Sequence, residues 1–92
     1  MERVVTVVPE EGLHARPASK FVSTANEYDS EVRVGRAGDG NTVPANSMLA
    51  VTGLDVRGGE DVLIIADGED AEAALDALES LLSSPVEEDA DG

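Results

Sequence analysis

Valine recurs at positions 4, 5, 7 and 8, and the run from Arg3 to Val8 reads as a strand. Pro9-Glu10-Glu11-Gly12 is turn chemistry. From Pro17 the period lengthens. Ala18, Phe21, Val22, Ala25 and Tyr28 fall at i, i+3, i+4, i+7 and i+10, a single stripe on a helix that Asp29 and Ser30 are expected to end. Proline is compatible with a first helical turn, which does not use its N–H. Glu31 to Arg36 alternates charged or small residues with Val32 and Val34, the pattern of a half-buried strand.

A glycine-rich turn, Ala37–Asn41, leads to a short return strand at Thr42-Val43, which Pro44 stops or marks as an edge. Asn46 or Ser47 is placed to cap a short helix carrying Met48, Leu49 and Val51. Leu49 is expected in the core, with Met48 and Val51 as exposed contacts. Val62 to Ala66 is nearly continuous apolar sequence and reads as a buried central strand. Asp67-Gly68-Glu69-Asp70 is expected to turn and cap the next helix, where Ala71, Ala74, Leu75, Leu78, Leu81 and Leu82 share one face. The order β-α-β-β-α-β-α has an economical packing. It is an α+β open-faced sandwich, a four-stranded, mostly antiparallel sheet with three helices on one face. Residues 1–84 form the domain, and 85–92 an acidic solvated tail.

Composition narrows the functional classes. The 92 residues make one domain, and the 41% apolar content suits a folded globule with an aliphatic core, since Phe21 and Tyr28 are the only aromatics. Without cysteine there is no disulfide, thiol nucleophile or thiolate metal site. No apolar run reaches the roughly 20 residues that cross a bilayer, and Glu2-Arg3 is not a signal-peptide start. The chain is therefore expected in the cytoplasm. A net charge of −14, from 20 acidic and 6 basic residues, argues against nucleic acid and against direct binding to anionic membranes. Lys20 is the only lysine. The same balance fits a halophile's cytoplasm, where salt screens self-repulsion.

The candidate chemistry lies where the first strand gives way to the first helix. Gly12-Leu13-His14-Ala15-Arg16-Pro17-Ala18 holds the single histidine. A helix N-terminus presents unpaired N–H groups and a positive dipole end, which favour an anion and disfavour an imidazolium. An imidazole placed there can accept and release an anionic group, with Arg16 as a phosphate clamp. Gly12 is expected to supply a turn conformation and clearance for the ring, and Pro17 to fix the first turn.

This segment, followed by Phe21-Val22, resembles the active-site signature of HPr, the histidine-containing phosphocarrier family of the phosphoenolpyruvate-dependent sugar phosphotransferase system. The resemblance runs from residue 2 to about 83 and includes the element order. It implies that His14 takes a phosphoryl group on Nδ1, that Arg16 contacts the phosphoryl oxygens, and that backbone N–H groups among Ala15, Arg16 and Ala18 reach it. It implies enzyme I as donor and a IIA domain as acceptor, of a fructose-like sugar system or a dihydroxyacetone system. The chain would be a carrier, not a turnover enzyme by itself, and needs no cofactor or metal. Brief encounters with two partners favour a monomer. A regulatory binding module that uses the same surface without transferring phosphate is the competing class, and the presence of His14 counts against it.

Ser47 lies where many HPr proteins carry a regulatory serine. The alternative is an ordinary N-cap worth about 1 kcal/mol, and Asn46, Ala50, Thr52 and Asp55 depart from the common surroundings of that serine. The family docks its partners through the helix that follows Ser47, which gives Met48 and Val51 their expected role. Lysines that family members place near the site are replaced here by residues such as Ser23, Asn26 and Ala50, so docking is expected to rely less on complementary charge.

If salt screening is what permits so acidic a fold, the thermal midpoint rises from low to molar KCl. A midpoint independent of KCl overturns the halophilic reading.

Overall fold

The computed structural model describes residues 1–84. Their elements are β1 (Glu2–Thr6), α1 (Ala15–Ala25), β2 (Glu31–Arg36), β3 (Val43–Pro44), α2 (Met48–Gly53), β4 (Asp61–Asp67) and α3 (Ala71–Leu82). The acidic segment 85–92 lies outside the described residues. The expected α+β open-faced sandwich is what the chain forms, with every strand pair antiparallel and the order β1-β4-β2-β3.

β4 is an inner strand, pairing with β1 from Glu2↔Ile65 to Thr6↔Asp61 and with β2 from Glu31↔Asp67 to Arg36↔Val62. Its apolar run reads as buried on both faces, but only one face is covered. Val62, Ile64 and Ala66 are buried beneath the helices, while Leu63 and Ile65 are only partly covered. Period-two geometry forces this division once helices occupy a single side. Val32 and Val34 of β2 and Val5 of β1 point to the same covered face. On the other face Val4 opposes Leu63 and stays 58% exposed. β1 is shorter than its valine run, yet Val7 continues the pairing. Its N–H donates to the Glu60 carbonyl at 2.8 Å, and its carbonyl accepts from Gly59 at 2.7 Å.

The core is aliphatic around Phe21, with Leu13, Ile64, Leu75, Leu78 and Leu82 among its fully buried side chains. α1 ends at Ala25, before Asp29 and Ser30, and Tyr28 packs on the core's margin from the turn that follows. α3 keeps its stripe as expected. Asp70 stands at its N-cap position, but the carboxylate does not cap α3. It accepts from the backbone N–H of Asp29 (2.8 Å) and of Ser30 (2.9 Å), and from the Ser30 hydroxyl. The turn between α1 and β2 is thereby tied to the start of α3. The Ser30 hydroxyl and the Asp29 N–H hold the Asp70 carboxyl below its ordinary range.

α2 is turned the other way from expectation. Val51 is fully buried, and Leu49 is 84% exposed. Two residues apart on a helix, at about 100° each, they face nearly opposite directions, so both cannot be inside. Val51 joins Ala45 and Val56 in the core, leaving Met48 and Leu49 as the exposed apolar pair. Val51 is therefore not a surface contact. Ser47 caps the helix as expected, its hydroxyl accepting from the Ala50 N–H at 3.2 Å.

Val51→Ala is expected to cost about 2 kcal/mol in denaturant unfolding, and Leu49→Ala to stay within about 0.5 kcal/mol. The reverse ranking would contradict the burial assigned here. A carboxylate with a depressed pKa stabilises the fold above its unfolded value and loses that contribution as pH falls through the folded one. Asp70→Asn is thus expected to lower stability at neutral pH and to flatten the acid limb of an unfolding titration below the ordinary carboxylate range.

Candidate functional site

His14 occupies the N-cap position of α1 with an extended backbone, φ −134° and ψ 162°. Its imidazole makes no capping hydrogen bond to the helix, and its side chain is 37% exposed. The ring is thus partly in solvent at the positive end of α1, and its nitrogens are not consumed by the usual work of an N-cap.

The chain that leads into His14 is held from behind. The Leu13 N–H donates to the Val56 carbonyl at 3.0 Å, and the Leu13 side chain is fully buried. Gly12 has φ +70°, and a Cβ there would lie 2.0 Å from the Val56 oxygen. The clearance that glycine gives is therefore for the backbone at residues 56–57 rather than for the imidazole. A side chain at this position would both strain the backbone and break the Leu13–Val56 junction.

Ala15 follows with φ +52°, the left-handed region, which an L-residue adopts at a cost of about 1–2 kcal/mol. No property of alanine in the sequence announces this. Arg16 is exposed in the first turn, and Pro17 is buried there. The Ala18 N–H, expected among the donors to an anion, instead faces the His14 carbonyl at 3.4 Å, the bond that closes the first turn. Pro17 has no N–H. The backbone donors that precede the helical ladder are those of Ala15 and Arg16.

A neighbour that sequence reasoning did not assign to the site is Asp55, just beyond α2. Its Oδ1 lies 3.4 Å from His14 Nε2, and its Oδ2 lies 3.7 Å from the Arg57 guanidinium. The positive helix end and a carboxylate thus flank the same ring. The loop around Asp55 is itself anchored. Arg36 of β2 donates to the carbonyls of Leu54 (3.4 Å) and Asp55 (3.0 Å) and pairs with Glu60 at 3.1 Å. The Arg57 N–H donates to Glu60 at 3.0 Å, and these two donors hold the Glu60 carboxyl below its usual range. Ser47, Met48 and Leu49 lie on or beside α2, which packs against α1. Among the described residues there is no cluster of three metal-ligating side chains, and no helix is long and apolar enough to cross a membrane.

Comparison with known proteins shows the family. Residues 1–84 match the family model described as the phosphotransferase-system HPr component phosphorylation site. The chain is 67% identical over 85 residues to the phosphocarrier protein HPr of Haloferax volcanii, covering 92% of this chain and 96% of that one. It is 49% identical over 87 residues to the phosphocarrier protein HPr of Streptomyces coelicolor, covering 95% and 92%. Its fold superposes on the crystal structure of an HPr from Thermoanaerobacter tengcongensis with a TM-score of 0.85 and 37% identity, covering 91% of this chain and 92% of that one. The chain belongs to the HPr family, the phosphocarrier proteins of the phosphotransferase system.

Proposed function

We propose that this chain accepts a phosphoryl group on His14 Nδ1 from phosphorylated enzyme I and passes it to a IIA domain that serves uptake and phosphorylation of a small carbohydrate, a fructose-like sugar or dihydroxyacetone. The observation that carries the reading is an imidazole placed at the N-cap of α1, partly exposed and not spent on capping. The nucleophile is the neutral ring. Its Nδ1 lone pair forms the N–P bond as the bond between phosphorus and the donor histidine breaks, and the electron pair of the broken bond stays on the donor. Transfer to the IIA domain repeats the exchange with the roles reversed.

Phosphoryl transfer needs little covalent help from a protein, so position and charge carry most of the effect. The backbone donors of Ala15 and Arg16 and the Arg16 guanidinium supply positive charge to the phosphoryl oxygens. Pro17 and Gly12 hold the turn that aims them. The same charges act on the phosphorylated and transferring states, which keeps the carrier reversible.

Docking of both partners uses the exposed pair Met48 and Leu49 beside the site. Hydrophobic contact and hydrogen bonds replace the charge complementarity that basic residues would provide. The protein acts as a monomer in the cytoplasm, and its net charge of −14 supports a cell of high internal salt. Ser47 serves as the N-cap of α2, and a regulatory phosphate there is the alternative use of the same hydroxyl.

Incubation with phosphoenolpyruvate and enzyme I of the same cell is expected to add one acid-labile phosphoryl group, seen by mass spectrometry, and none to His14→Ala. An acid-stable label, or label on the mutant, overturns the reading. Arg16→Ala is expected to slow transfer by about tenfold or more with the fold intact, and an unchanged rate removes its role. Exposure to an HPr kinase and ATP is expected to leave Ser47 unmodified. Stoichiometric phosphoserine would instead establish regulation there.

A further inference from the structure

We infer that Asp55 is a positioning residue for His14, keeping the ring proton on Nε2 so that the lone pair is presented on Nδ1. The inference rests on the carrier reading above and deepens it. Four observations converge on it.

The carboxylate Oδ1 is 3.4 Å from Nε2, at ion-pairing distance. Asp55 has φ +57°, in the left-handed region. It directly follows Leu54, the C-cap of α2, and its N–H donates to the Thr52 carbonyl at 3.1 Å. Glycine suits such a residue best, and an aspartate there carries a backbone cost of about 1 kcal/mol. A strained residue persists where its surroundings over-determine it, and such positions gather at functional sites. Here the carbonyls of Leu54 and Asp55 are held by Arg36, and the Leu13–Val56 hydrogen bond fastens the next residue to the chain that enters His14. Finally, the second carboxylate oxygen faces Arg57 at 3.7 Å, which directs the first toward the imidazole.

The chemistry follows from which nitrogen the carboxylate faces. A neutral imidazole has one N–H and one lone pair, and a negative charge beside Nε2 favours the proton there. The other nitrogen is then the nucleophile. When the N–P bond forms at Nδ1, the ring keeps its Nε2–H and gains positive charge, which the carboxylate faces directly. When the phosphoryl group leaves, the electron pair returns to Nδ1 and no proton has to move. Both side chains are substantially exposed, 37% for His14 and 67% for Asp55, so the effect is of the size of a surface pair.

The test uses the whole chain in three forms, wild type, Asp55→Gly and Asp55→Asn. With ¹⁵N-labelled histidine and a pH at which the ring is neutral, the wild-type spectrum is expected to show a protonated Nε2 and an unprotonated Nδ1. Asp55→Gly relieves the left-handed backbone, so its thermal midpoint should equal or exceed the wild type. Its ring resonances should nonetheless move toward a mixture of tautomers, and phosphoryl transfer from enzyme I should slow about two- to fivefold. Asp55→Asn keeps an acceptor oxygen of the same shape without the charge and should recover the wild-type tautomer and the rate only in part. An Asp55→Gly chain with wild-type ring resonances, or with an undiminished rate, overturns the assignment. A wild-type chain that takes up no phosphoryl group sinks the carrier reading instead, whereas the ring spectra need no phosphoryl donor.

Discussion

The hydrogen bond from Leu13 to the Val56 carbonyl joins two halves of the molecule, and the geometry of the site depends on it. One partner immediately precedes His14, and the other lies just past α2. Gly12 permits the approach because its missing Cβ leaves room for that carbonyl. Leu13 and Val56 are fully buried, so the junction is anchored in the core and cannot drift with the surface. Everything the site uses is set by this contact: the direction in which His14 enters α1, the closeness of Asp55 to the ring, and the placement of α2 beside it.

The rest of the loop is built to keep that junction in register. Arg36 reaches from β2 to the carbonyls of Leu54 and Asp55 and to Glu60, and Glu60 receives the Arg57 N–H. Each bond is modest in a surface setting. Their value lies in converging on four consecutive residues, so that a loop becomes as well defined as the helices. Strain then accumulates where the constraints meet, at Ala15 and Asp55, the two non-glycine residues with positive φ among the described residues. Both lie within the candidate site, one directly after His14 and the other opposite its ring.

How much of this was legible in the sequence depends on how local each feature is. β2 coincides with its alternating pattern, and α3 with its leucine stripe, because periodicity alone decides them over six and twelve residues. The His14-Ala15-Arg16-Pro17 segment is local as well, and its site could be placed at a helix start from the sequence. The buried face of α2 is not legible, because a helix of six residues has no second full turn to fix which face is apolar. Val51 and Leu49 then exchange places once α2 is laid across the core. β4 reads as buried on both sides because its run is uniformly apolar, although helices cover only one. Asp55 is not legible as a neighbour of His14, since the two are distant along the chain. The available signal was an aspartate directly after the end of a short helix, where a left-handed residue and hence glycine would be usual. Ala15 gave no signal at all, since its backbone is imposed by the junction behind it.

β4 has a consequence for how the protein is made. Among the described residues it is the last strand along the chain and an inner strand of the sheet, paired with β1 on one side and β2 on the other. Until it emerges from the ribosome, both earlier strands offer unpaired edges rich in valine, the kind of surface that recruits neighbouring chains. The excess of carboxylates then does a second service, for like-charged nascent chains repel one another during the interval before the sheet can close.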